Sequence, residues 1–280
     1  MRRGTRARAE SLAWLAAATI AALTLASAAN AQSAAGRDDR FALMVQRATL
    51  TGTSGGWGAA GLWLHNFSAD TILGLGGEHQ SIGDARWNFG KLSLNHGFGQ
   101  APERTNLYLD VGEGSGHDHV HSYDYSIVAA GIYQNISRQW IVQIEDKQID
   151  VDTVKGNLPK AGVQYWWSPT LGTSVAYAYS KDVRLDTQLL TARIDASTRT
   201  MNFFGGLANG PAAPIVVDYT VPGQVGPHPS VVLHEYYVGL GRAFSRVDII
   251  TALDYARLDK STHWTLTFNA MLHKRTGAAR

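Results

Sequence analysis

The chain of 280 residues has no cysteine, so neither a disulfide nor a thiolate metal site helps to hold its fold. Charged residues make up 17% of it, well under the roughly 25% usual in soluble domains. After the first 26 residues no apolar run approaches the roughly 20 that a membrane-spanning helix needs. These absences exclude a disulfide scaffold and a helical membrane protein. If the chain enters a bilayer, it does so as a closed sheet in which every backbone N–H and C=O finds a partner on a neighbouring strand.

The first 31 residues have the layout of an export signal: Arg2, Arg3, Arg6 and Arg8 precede an apolar stretch from Leu12 to Ala26, and Ala29-Asn30-Ala31 supplies small residues for cleavage. Residues 1–31 are therefore expected to be a cleaved signal peptide, 32–40 a short N-terminal segment, 41–273 a barrel and 274–280 a tail. The formal charge of +2 owes much to that signal. Without its four arginines and Glu10, 21 basic residues stand against 22 acidic ones, a net charge of −1. Nothing in that balance points to a nucleic-acid partner.

Alternation with a period of two dominates the rest. From His263 to His273, Trp264, Leu266, Phe268, Ala270 and Leu272 share one face, while His263, Thr265, Thr267, Asn269 and His273 share the other, with Met271 the exception. Similar segments fall near 41–50, 57–67, 71–81, 86–97, 104–113, 122–134, 140–150, 159–167, 171–181, 186–195, 199–208, 231–241 and 247–257. The expected fold is all-β, a closed antiparallel up-and-down transmembrane barrel of about 14 strands. Twelve is the alternative, since Gly55-Gly56-Trp57-Gly58 blurs the end of the first.

Connection lengths sort by parity. The brief ones are 68–70, 98–103, 135–139, 168–170, 196–198 and 243–246, whereas 115–121, 151–158 and 209–230 fall on the other parity. Outer-membrane barrels have that asymmetry, with short periplasmic turns and longer outer loops. Aromatics on the apolar phases near strand ends, Trp87 with Phe89, Trp140, Tyr165 with Trp167, and Trp264, are expected in interfacial girdles. A secreted β-sandwich or lipocalin-like barrel is the rival, because it alternates too.

Three runs, Tyr123–Tyr133, Arg138–Glu145 and Gly162–Pro169, resemble those of YaiO-type outer-membrane β-barrel proteins, and the resemblance extends over most of the chain from about Gly74. It implies an outer-membrane barrel associated with surface-polysaccharide export or assembly, with no catalytic residues and no cofactor. The implied partners are outer-membrane lipids, the barrel-assembly machinery and a polysaccharide or periplasmic export component. The chain departs from such barrels in following Phe268 and Leu272 with a polar tail rather than ending on an aromatic.

Three chemistries are open to these residues. A non-enzymatic pore would be lined by the polar phases: Asp110, Gln143, Glu145, Lys147, Gln164, Asp186, Gln188, Asp248, Asp254, Thr265, Thr267 and Asn269, with Trp166 as an aromatic platform. A lipid hydrolase of the lipid A deacylase or phospholipase type would need Ser and His together on the outer wall, and His96, His234 with Glu235, Ser93 and Ser230 are the ingredients. A metal site would use His117, His119 and His121, which share one side of an extended backbone and offer imidazoles to Zn²⁺ or Cu²⁺. Same-side neighbours on a strand lie about 6.5–7 Å apart, too far for one ion unless the strand bends, so the preferred expectation is a pore without metal.

Overall fold

Strict alternation requires a sheet with two unlike sides, and closing the sheet on itself makes one side a wall and the other a lumen. The computed structural model describes residues 39–50, 55–82, 85–100, 102–117, 122–151, 154–180, 187–212, 231–258 and 261–273. The expected signal peptide and the polar tail lie outside them. The strands are β1 (Arg40–Leu50), β2 (Gly56–Asn66), β3 (Thr71–Ile82), β4 (Ala85–Phe98), β5 (Thr105–His117), β6 (Ser122–Asn135), β7 (Trp140–Val151), β8 (Val154–Ser168), β9 (Leu171–Ser180), β10 (Thr187–Ser197), β11 (Met201–Ala212), β12 (Val231–Ala243), β13 (Val247–Leu258) and β14 (Ser261–His273). Each pairs antiparallel with its chain neighbours, and β1 closes on β14, so the barrel has fourteen strands and no free edge.

Cross-strand partners share a side, so the register assigns every side chain to wall or lumen. On β14 the division is the one the alternation predicts: Thr265, Thr267 and Asn269 are buried, whereas Trp264, Leu266, Phe268 and Leu272 are exposed. Met271 turns inward with the polar set and packs with Ala42 against Leu62.

One rim carries Arg40 and His273 and is called here the terminal rim; the opposite one is the distal rim. Four of the six terminal turns repeat one device, a hydroxyl that accepts from backbone N–H groups two or three residues on. Ser68 Oγ accepts from Asp70 and Thr71, Ser137 Oγ from Gln139 and Trp140, Ser168 Oγ from Thr170, and Thr198 Oγ1 from Met201, at 3.0–3.2 Å. The distal connections correct two of the expected long loops. β7 and β8 continue to Val151 and from Val154, leaving 152–153 between them, and β5 and β6 leave 118–121. The stretch between β11 and β12, 213–230, lies outside the described residues.

The outer wall is stratified. Large apolar side chains form a band, with Ile144 61% and Val238 60% exposed. Rings border it on both sides. At the terminal rim Trp140 lies 4.6 Å from Tyr165, which lies 4.8 Å from Trp167; near the distal rim Tyr255 lies 4.7 Å from Trp264. Toward the distal rim outward positions turn polar, with Arg47, Asn88, Glu113, Gln148, Gln188 and Asn209 exposed. Asp146 alone among the described acidic residues faces outward within the band, flanked by Ala130 and Pro159.

That stratification overturns three side assignments. Trp87 pairs with Gln80 and Gly116 and is 1% exposed, and Phe89 pairs with Gly114, so both face the lumen rather than a girdle. Gln188 pairs with Tyr179 on the wall side, not the lumen. Near the distal rim outward positions clear the apolar band and become polar, so polarity no longer reports the side there. Asp186 lies outside the described residues.

Candidate functional site

The lumen is the site. Its wall is smoothed by rings laid across glycines on adjacent strands, where a β-carbon would collide with the ring. Tyr108 lies over Gly131, Phe204 over Gly239, Tyr237 over Gly206, Phe89 over Gly112 and Trp166 over Gly172, each leaving 2.0–2.9 Å to a hypothetical Cβ. A ring held flat against the sheet fills little of the lumen, whereas the same ring standing upright projects toward the axis. Phe89 and Tyr125 add a parallel stack with centroids 5.3 Å apart.

Charge gathers at mid-height. On the β4–β8 wall Lys91 Nζ lies 2.7 Å from Asp110 Oδ2, and Lys160 Nζ lies 3.4 Å from Glu145 Oε2. Tyr108 donates its hydroxyl proton to Glu145, and Gln143 Nε2 donates to the Tyr133 hydroxyl at 2.9 Å. Across the barrel Arg193 Nε donates to both Asp195 oxygens at 2.9 and 2.8 Å, and its guanidinium sits 4.8 Å above the Phe204 ring. Glu235 and Asp254 are hydrogen-bonded to one another on β12 and β13. The β14–β1–β2 sector is uncharged at this level and offers Thr265, Thr267, Asn269 and Gln46, whose amide donates to Gln80 at 3.2 Å.

The register places Asp110, Gln143, Glu145, Lys147, Gln164, Asp248, Asp254, Thr265, Thr267 and Asn269 on the inner face. The structure gathers Gln143 and Glu145 with Tyr108, Tyr133 and Lys160, sets Asp110 in its own pair with Lys91, and leaves Gln164 near the terminal rim beside Trp166, whose indole Nε1 is buried without a partner among the described residues. Sequence reasoning missed Lys91, Lys160 and Arg193. Their signal was phase: each shares the inward parity of its strand, but the rings and glycines that accompany them carry no polarity to mark it.

The hydrolase ingredients do not assemble. His96 points outward at the terminal rim, where its Nδ1 is 2.8 Å from Thr71 Oγ1, while Ser93 faces the lumen. His234 is on the outer wall near the distal rim, with Glu235 turned to the other side, and Ser230 lies outside the described residues. His117 is exposed at the end of β5, and His119 and His121 lie outside the described residues. No group of three potential metal ligands occurs among the described residues.

A closed fourteen-stranded antiparallel barrel with an apolar exterior and a charged lumen has the fold of outer-membrane channels. Solved structures share it: the CymD monoaromatic hydrocarbon channel (TM-score 0.59, 11% identity, 87% of this chain and 90% of that one), a Pseudomonas aeruginosa FadL homologue (0.55, 8%, 85% and 91%) and the Ralstonia pickettii toluene transporter TbuX (0.53, 8%, 86% and 90%). No family model and no curated protein matches the sequence.

Proposed function

We propose that the protein is a non-enzymatic outer-membrane channel for hydrophilic solutes. The observation that carries this reading is the pairing of an apolar, ring-bordered exterior with a lumen whose mid-height is occupied by charged pairs and amides, while several of its rings lie over glycines of the wall. A greasy wall is stable only against acyl chains or a partner, and charged side chains at the axis are stable only in water. The terminal rim, with its tight hydroxyl-capped turns, is the periplasmic one, and the polar strand ends toward the distal rim stand at and above the outer leaflet.

The named solutes of the hydrocarbon channels and the toluene transporter do not suit this lumen, because an apolar molecule passing Lys91, Asp110, Lys160 and Glu145 would strip water from charges and return nothing. The YaiO-type resemblance instead supports a place beside surface-polysaccharide export or assembly, with export by a cleaved signal peptide, insertion by the barrel-assembly machinery and a polysaccharide or periplasmic export component as partner. Purified protein in a planar bilayer tests the channel: discrete conductance steps are expected, and correctly folded protein that leaves the bilayer silent would end the reading. Loss of surface polysaccharide on deletion, restored by the intact chain, is the separate test of the export role.

A further inference from the structure

We infer that the lumen holds a saccharide-binding site formed by two opposed aromatic plates, Tyr108 with Tyr133 on one wall and Tyr237 with the Arg193-capped Phe204 on the other. This deepens the channel reading and rests on it, by naming the class of solute the site binds.

The topology sets the plates face to face. β5 and β6 lie six strands from β11 and β12 around a ring of fourteen, close to diametrically opposite. Tyr108 and Phe204 are each the fourth residue of a strand rising from the terminal rim, with Tyr133 one inward position nearer that rim and Tyr237 one inward position farther from it, so the plates overlap in height. Ring centroids are 5.3 Å apart in the first and 6.4 Å in the second. Tyr108 and Tyr237 lie over the glycines opposite them, their planes tilted 35° from Tyr133 and 50° from Phe204, and Tyr108, Tyr133 and Tyr237 all retain exposure. Phe204 is covered by the guanidinium of Arg193, so the surface there is Tyr237 beside a planar cation.

Each plate is edged by an acid–base pair, Glu145 with Lys160 on one side and Asp195 with Arg193 on the other. A pyranose ring has an apolar C–H face and a rim of hydroxyls. A flat ring meets the first, while fixed donors and acceptors at the plate's edge meet the second. A simple anion makes no use of ring faces, a simple cation makes no use of the donors at their edge, and a hydrocarbon leaves the edge charges without partners. A saccharide uses both features at once.

Single-channel recording with maltohexaose, a neutral pyranose chain, and with a hyaluronan hexasaccharide, an acidic one, tests the inference. Interruptions of the current by one or both are expected. In Tyr108→Leu and Tyr237→Leu the block should weaken at least about tenfold while conductance is retained. Glu145→Gln, which keeps size, serves as a second variant should a leucine variant fail the heat-modifiable mobility check of folding. An open pore blocked by neither saccharide, or a block unchanged in all the variants, overturns the saccharide site and leaves the channel standing. A silent bilayer with folded protein overturns the channel. Calorimetry of the same saccharides with detergent-solubilised protein then decides the plates: heat that disappears in the variants supports them, and no heat in the wild type overturns them.

Discussion

Lys91 and Asp110 face each other on adjacent strands of the lumen wall with Nζ 2.7 Å from Oδ2, their side chains 22% and 26% exposed. At that exposure the pair contributes little to folding, about 1 kcal/mol or less. It contributes more to the field that a passing ion meets, because the lumen confines solute to within a Debye length, about 10 Å at 0.1 M salt, of the wall. Asp110→Asn exposes the Lys91 charge and is expected to shift the reversal potential in a salt gradient toward anions. Lys91→Gln should shift it the other way. Equal reversal potentials in both variants and wild type would show that ions do not pass this wall.

The ring-over-glycine contacts make a second expectation, about volume. A Cβ at residue 239 would stand 2.0 Å from the Phe204 ring, and one at 131 would stand 2.4 Å from the Tyr108 ring. Gly239→Ala and Gly131→Ala therefore lift their rings off the wall, at a cost of about 1–3 kcal/mol for the overpacking, and lower the unit conductance. A control at Gly77 on the outer face, where a Cβ meets nothing closer than 3.6 Å, should leave conductance as it was. Conductance unchanged at 131 and 239 would mean that the rings do not bound the passage.

Much of the fold was legible because one physical rule operates along most of each strand. Ile144 outside and Glu145 inside, or Leu266 outside and Thr265 inside, differ in polarity as the two environments differ, and fourteen such runs with short hydroxyl-bearing turns between them specify a barrel. The rule fails where the environments stop differing. At the distal ends water lies on the outer side too, so alternation alone gives the wrong face for Trp87, Phe89 and Gln188. The plates were illegible for another reason: Tyr108 and Gly131 are directly opposed on β5 and β6, and that pairing depends on a register that period-two alternation leaves free to slide by two residues.

Ile144 and Asp146 are successive outward residues of β7, both exposed, one matching the apolar band and one opposing it. Arginine at the middle of a lipid-facing wall costs about 2–4 kcal/mol, and acidic residues cost less. Ile144→Arg is expected to lower the midpoint of denaturant unfolding in lipid vesicles accordingly, and Asp146→Val to raise it by up to about 2 kcal/mol. Gln188→Arg, outward but beyond the band, should move it little. If all three changes proved equivalent, the apolar stratum would not be facing acyl chains.

Because the chain has no cysteine, single cysteines report orientation without background. Asn209→Cys places a thiol on the outer face at the distal end of β11, and Arg138→Cys places one in the exposed turn between β6 and β7 at the terminal rim. With the terminal rim in the periplasm, a membrane-impermeant maleimide added to intact cells should label residue 209 and spare 138, and permeabilisation should make 138 reactive. The reverse pattern would invert the barrel and move the polar strand ends to the periplasmic side. Equal labelling of both in intact cells would show that the chain does not divide two compartments. The channel, the plates and the stratified wall all depend on that division, since a lumen joins two aqueous spaces only if the wall around it keeps them apart.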